Sequence, residues 1–147
     1  MEQINNIKVV PCTSSNYLRP FRVHYNQNGT KKSWDFMQTH DSVSVLIFNT
    51  TSHCFILVKQ FRPGGSGVGV TGSKQTMFYA EVSEENRVGE GGGKPQEGEL
   101  IEVVKVPLHE AMTFAFDESI PKTMGVIFSF IWFHSNMSPK YKISTNV

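Results

Sequence analysis

Ser42-Val43-Ser44-Val45-Leu46-Ile47-Phe48 alternates polar and apolar residues and then turns wholly apolar. After a short polar turn over 49–53, the run Cys54-Phe55-Ile56-Leu57-Val58 follows. Short apolar runs rich in β-branched and aromatic residues, bounded by turn residues, read as buried strands. The pair predicts two adjacent, mostly buried strands of one sheet, apolar enough on both faces to need helices on each side.

Working outward, Phe21-Arg22-Val23-His24-Tyr25 alternates and ends at Asn26-Gln27-Asn28-Gly29, a hairpin turn signal, with a second extended segment over 31–37. Two further strands are predicted over 75–82 and 100–106, separated by a polar loop rich in glycine. Of the 12 glycines, ten fall between Gly64 and Gly98. The period then changes. Leu108, Ala111, Met112, Ala115 and Phe116 lie at i, i+3, i+4, i+7 and i+8 behind Pro107, and Met124, Ile127, Phe128, Ile131 and Trp132 repeat that spacing behind Pro121. Such stripes predict amphipathic helices over 108–116 and 122–133. A mixed sheet followed by two packed helices makes an α+β, or layered α/β/α, domain.

The chain has 147 residues, 39% hydrophobic and 18% charged, with 14 Lys plus Arg against 13 Asp plus Glu. That length suits one domain. A net charge of +1 gives no whole-chain electrostatic case for nucleic acid or for an anionic membrane. The longest strongly apolar stretch, 125–133, is too short to span a bilayer, and the polar residues 2–8 do not read as a signal peptide. Cys12 and Cys54 lack CxxC spacing and read as reduced thiols, so a cytoplasmic location is expected and the three glycosylation sequons are read as chance matches.

No G-x-x-x-x-G-K-[ST] occurs, which excludes a P-loop, and Gly65-Ser66-Gly67-Val68-Gly69 lacks the strand–helix setting of a dinucleotide loop. His24, His40, His53, His109 and His134 show no zinc spacing with the cysteines, and no serine or cysteine sits in a nucleophile elbow. Carboxylates and a few basic residues remain for chemistry.

Lys32-Ser33-Trp34-Asp35-Phe36-Met37, Thr39-His40-Asp41-Ser42-Val43, Val58-Lys59-Gln60-Phe61-Arg62-Pro63, the block from Gly67 to Tyr79, Glu97-Gly98-Glu99-Leu100-Ile101-Glu102-Val103-Val104 and Pro121-Lys122-Thr123-Met124-Gly125-Val126-Ile127-Phe128 stand in one order along the chain. Together they resemble the UDP-sugar pyrophosphatases of the Nudix hydrolase superfamily. The resemblance implies a Nudix-like α/β/α sandwich with a mixed sheet, hydrolysis of UDP-glucose or ADP-ribose to a nucleoside monophosphate and a sugar phosphate, Mg²⁺ held on glutamates, and a homodimer. A diphosphate is highly anionic, so hard cations on oxygen ligands must neutralise it and activate water.

The family carries those ligands on a loop–helix–loop, the Nudix box, of pattern G-x5-E-x7-R-E-U-x-E-E-x-G-U (U, bulky aliphatic). It belongs between Gln60-Phe61-Arg62-Pro63 and Ser66-Gly67-Val68-Gly69, and only Gly64 and Gly65 occupy that gap. The domain is therefore read as residues 1–147, a hairpin segment 1–38 and a core 39–147, internally truncated near 63–66 with the Nudix helix missing. Glu81-Val82-Ser83-Glu84-Glu85 fits part of the pattern, but Ala80 stands at its arginine, Arg87 at its glycine and Gly72 at its upstream glutamate. Glu84 and Glu85 are read as a solvated loop.

Five site residues follow from the resemblance. Arg62 matches the basic residue near the substrate phosphates, or is a strand-end surface arginine. Glu97 or Glu99 matches a glutamate that acts as base or orients water, unless the loop is merely acidic. Trp34 and Asp35 of the hairpin are substrate-binding candidates, with Trp34 as a buried hairpin anchor the alternative. No metal ligand is assigned, and no Mg²⁺ is expected to bind.

Three readings remain: a working UDP-sugar diphosphatase, which the missing box argues against; a non-catalytic dimerisation or nucleotide-binding subunit; and a splice form or incomplete gene model. The third is favoured as the origin of the chain.

Overall fold

A computed structural model describes residues 6–60, 71, 74–94, 96 and 99–141. The chain divides into two units, 1–42 with 67–75 and 43–66 with 76–147.

In the first unit, β1 (Arg19–Gln27) pairs antiparallel with β2 (Thr30–Gln38) from Arg19↔Gln38 to Gln27↔Thr30. Asn28 and Gly29 make the turn at φ 51° and 78°, the two left-handed residues that a tight hairpin needs. Register sorts the side chains into two faces. Phe21, Val23 and Tyr25 lie with Phe36 and Trp34 on one, and Arg22, His24 and Asn26 lie with Asp35, Ser33 and Lys31 on the other. Phe21 and Phe36 stack at 5.9 Å, yet Phe21, Val23, Tyr25 and Trp34 on that face are exposed.

The second unit holds a four-stranded sheet of order β5-β3-β4-β6, where β3 is Ser42–Asn49, β4 Cys54–Lys59, β5 Gln75–Val82 and β6 Glu102–Pro107. β3 and β4 run antiparallel (Phe48↔Phe55), as do β4 and β6 (Phe55↔Val106). Ser42 N donates to Lys74 O and Thr50 N to Val82 O, pairings that advance together along both segments, so β3 and β5 run parallel. The sheet is mixed and the class is α+β, as the sequence predicts. β6 starts two residues later than expected because Lys59, the last residue of β4, already pairs with Glu102. That leaves Leu100 and Ile101 outside the ladder.

The predicted helix over 108–116 is a single 3₁₀ turn, Leu108–Glu110, leading into α1 (Ala111–Phe116). The second helix, α2 (Met124–Tyr141), runs eight residues beyond its expected end and passes Pro139. Tertiary contact explains the extension. Tyr141 packs edge-on to Phe48 at 4.8 Å and stacks on Phe133 at 5.6 Å, which holds the last turn although proline removes one of its donors.

Both helices lie on one face of the sheet. Phe48 and Phe55 meet at 5.1 Å, Phe48 and Phe133 at 4.8 Å, and Phe55 and Phe130 at 4.5 Å; all four rings are buried. The reading of β3 and β4 as buried on both faces holds for this face alone. On the other, Val43, Val45, Val58, Phe78 and Val103 are exposed.

At the end of β5, Glu81 receives Lys140 Nζ at 2.6 and 2.7 Å and the hydroxyls of Tyr79 and Tyr141 at 2.9 Å each. The Lys140 bond, chiefly, holds the Glu81 carboxyl below its usual range, while burial and the bond to Glu81 push the Tyr79 phenol up. A depressed carboxyl contributes stability above its unfolded value, about 4.3, and loses it as pH falls through the lower folded value. With 30% of the Glu81 side chain exposed, solvent screening keeps that contribution small. Glu81→Gln is expected to lower the urea midpoint at pH 7, with the gap to wild type narrowing as pH falls below about 4.3. A gap that stays constant with pH would show that the carboxylate charge contributes nothing.

Candidate functional site

A cleft of about 230 Å³ opens on the uncovered face of the four-stranded sheet. Strand alternation builds its floor. Phe48, Phe55 and Val106 point to the helices, so Ile47, Ile56 and Val103 point the other way. Val82 at the end of β5 and the segment 83–91 form the wall.

Polar groups ring this floor. Asn49 is buried; its Oδ1 accepts from Thr51 N at 2.9 Å and Ser52 N at 3.0 Å, which closes the turn after β3. Its Nδ2 donates to Glu84 Oε1 at 2.8 Å, and Lys105 Nζ lies 3.5 Å from the same oxygen. Ser83 N donates to Asn86 Oδ1 at 2.7 Å, which fixes the 3₁₀ turn Glu84–Asn86. Arg87 donates to Gly89 O and to Glu90 Oε2, both at 3.0 Å. Two cations face two carboxylates, and each is paired.

The wall depends on Gly91. Its φ is +74°, and a Cβ there would stand 2.9 Å from Val103 Cγ2. Gly91→Ala combines left-handed strain with a clash, and a loss of about 1–3 kcal/mol is expected in a urea melt at pH 7. An unchanged midpoint would mean that the wall rearranges freely.

Of the sequence candidates, the described Glu99 is not among the residues that line this cleft. Arg62 and Glu97 lie outside the described residues. Glu99 accepts from Lys94 N at 3.3 Å and closes its own loop. Trp34 and Asp35 are neighbours on β2 and so point to opposite faces of the hairpin. Asp35 takes a bidentate pair from Arg22, at 2.5 and 2.7 Å, which holds its carboxyl below the usual range. Trp34 is 56% exposed, so the alternative reading of a buried anchor does not hold: β1 and β2 alone offer too little surface to enclose an indole. The reading of Glu84 as solvated is corrected as well. Glu85 is exposed, but Glu84 is half-buried against Asn49 and Lys105. Asn49 lies 35 residues away, so no local pattern marks this contact.

The described carboxylates do not fit a divalent cation. Glu81, Glu84, Glu90 and Glu102 each carry a lysine or arginine partner, and among the described residues no three His, Cys, Asp or Glu groups converge.

No protein-family model matches the chain. A uridine diphosphate glucose pyrophosphatase of Bos taurus is 37% identical over 217 aligned positions, 95% of this chain and 98% of its own length. That of Mus musculus is 36% identical over the same span and shares. The chain belongs to the UDP-glucose pyrophosphatase family of Nudix hydrolases. It is a short member of it. An alignment of 217 positions exceeds a chain of 147 residues by 70, so at least 70 positions of these pyrophosphatases have no counterpart here. Among the described residues, no helix of this family member is long and apolar enough to cross a membrane.

Proposed function

We propose that this chain is a non-hydrolysing UDP-glucose pyrophosphatase, a family scaffold in which the metal-binding box is missing. The observation that carries the reading is the join Pro63-Gly64-Gly65-Ser66-Gly67, where the family places its glutamate-bearing helix. A nucleoside-diphosphate sugar is the substrate of the parent scaffold. Without converging carboxylates, no group among the described residues is placed to neutralise its diphosphate or activate water. The test is Mg²⁺-dependent release of UMP from UDP-glucose, with the bovine relative assayed alongside. A companion titration by calorimetry is expected to show no stoichiometric Mg²⁺ binding at sub-millimolar affinity. Such binding would restore the case for a metal enzyme.

The remaining role is association. A two-stranded hairpin is marginal by itself, and this one presents Phe21, Val23, Tyr25 and Trp34 exposed on one face. Pairing of two copies through that face supports a homodimer. Cys12 and Cys54 are unpaired, which suits a reducing, cytoplasmic setting.

A further inference from the structure

The open face of the four-stranded sheet has a composition of its own. Val43 (68% exposed), Val45 (48%), Val58 (69%), Phe78 (55%) and Val103 (37%) lie on it beside Ile47 and Ile56. Register makes them neighbours: Ile47 pairs with Ile56, and Val58 with Val103. Phe78 shares the face because Tyr79, next to it on β5, packs against Trp132 and Phe133 of α2.

Every polar side chain of the cleft in this face already has a partner within the chain. Asn49, Glu84 and Lys105 form one set, and Arg87 and Glu90 another. The charges of the cleft are paired within the chain and favour neither an anion nor a cation. What is offered to an occupant is apolar.

We propose that this sheet face is a self-association surface, occupied by the same face of a second copy. Three features point to a copy. The exposed side chains leave on the order of 400 Å² of apolar surface, at the limit that soluble monomers carry. That is about half of the ~800 Å² per partner of a standard interface, as suits an apolar centre within a polar rim. The rim is charge-balanced, with the pairs Lys105–Glu84 and Arg87–Glu90 at 3.5 and 3.0 Å, so like faces do not repel. The face also carries both halves of a fit, since the Phe78 ring projects from it and the ≈ 230 Å³ cleft is recessed in it. A two-fold axis in the interface plane, midway between ring and cleft, seats each Phe78 in the opposite cleft, as a self-complementary interface requires.

This surface belongs to the sheet unit and does not rest on the hairpin pairing or on the loss of hydrolysis. Light scattering on the size-separated full chain tests it, with circular dichroism on each variant. The wild type is expected above dimer mass, because hairpin and sheet each join copies. Val43→Lys with Val58→Lys is expected to leave the hairpin dimer, Val23→Asp to leave the sheet dimer, and all three together a 16.6 kDa monomer. If the lysine pair unfolds the chain, Val43→Thr with Val58→Thr keeps β-branched strands and is expected to raise the association midpoint at least tenfold, as is Phe78→Ala. A wild-type monomer overturns the proposal. So does a wild-type dimer that Val23→Asp alone converts to monomer, or a mass that neither the lysine pair nor the threonine pair changes. An intact sheet dimer in Val23→Asp would sustain it even if the hairpin pairing failed.

Discussion

Purified chain given UDP-glucose and Mg²⁺ is expected to release UMP no faster than buffer. Phosphate esters and anhydrides hydrolyse slowly because charge repels the nucleophile, and enzymes supply accelerations of about 10⁶-fold or more, chiefly by preorganised charge. Removing one such group costs about 10²–10³ in turnover. Here the family's ligand set is missing from the join at Pro63-Gly64, and Glu102, Glu90, Glu84 and Glu81 are committed to Lys59, Arg87, Lys105 and Lys140. A rate at least about 10⁴-fold below that of the bovine relative should result. The control is restoration: inserting the relative's unmatched residues between Pro63 and Gly67 should return Mg²⁺-dependent turnover if the rest of the scaffold is sound. Release of UMP by the unmodified chain that EDTA abolishes would show that other carboxylates serve, and the proposed function would fall.

The largest effect on stability is expected from Phe48→Ala. This ring is wholly buried and touches Phe55, Phe133 and Tyr141 at centroid distances of 4.8–5.1 Å, so it joins β3 to β4 and to both ends of the packed stretch of α2. Truncation removes its transfer free energy and leaves a cavity that neighbouring rings cannot close, about 3–5 kcal/mol. Small domains have roughly 5–15 kcal/mol in total, and one with an uncovered sheet face belongs at the low end. The urea transition should move most of the way to zero denaturant, at fixed protein concentration because association contributes to the apparent value. Val58→Ala, on the open face and 69% exposed, is the comparison and should change stability by no more than about 0.5 kcal/mol at concentrations where copies are separate. Equal effects at the two positions would mean that the helix-covered face is not the core.

The sequence alone determined the elements that depend on short-range pattern. Alternation located β1 and β3 because a strand with one covered face places apolar residues at every second position, a short apolar run located β4, and Asn28-Gly29 marked the hairpin turn because few residues adopt two successive positive φ values. The order of the quoted blocks placed the chain in its family, and the join at Pro63-Gly64 exposed what is absent from it. Other features depended on distant contacts. The end of α2 lies at Tyr141 because Phe48 and Phe133 receive that ring, which local spacing behind Pro121 cannot register. The role of Glu84 waits on Asn49 and Lys105, brought together by the sheet. Trp34 and Asp35, adjacent in sequence and candidates for one ligand, are separated by the pleat of β2. Which face of β3 and β4 stays open was likewise a tertiary outcome: both faces are apolar in sequence, and only the packing of α1 and α2 chooses between them.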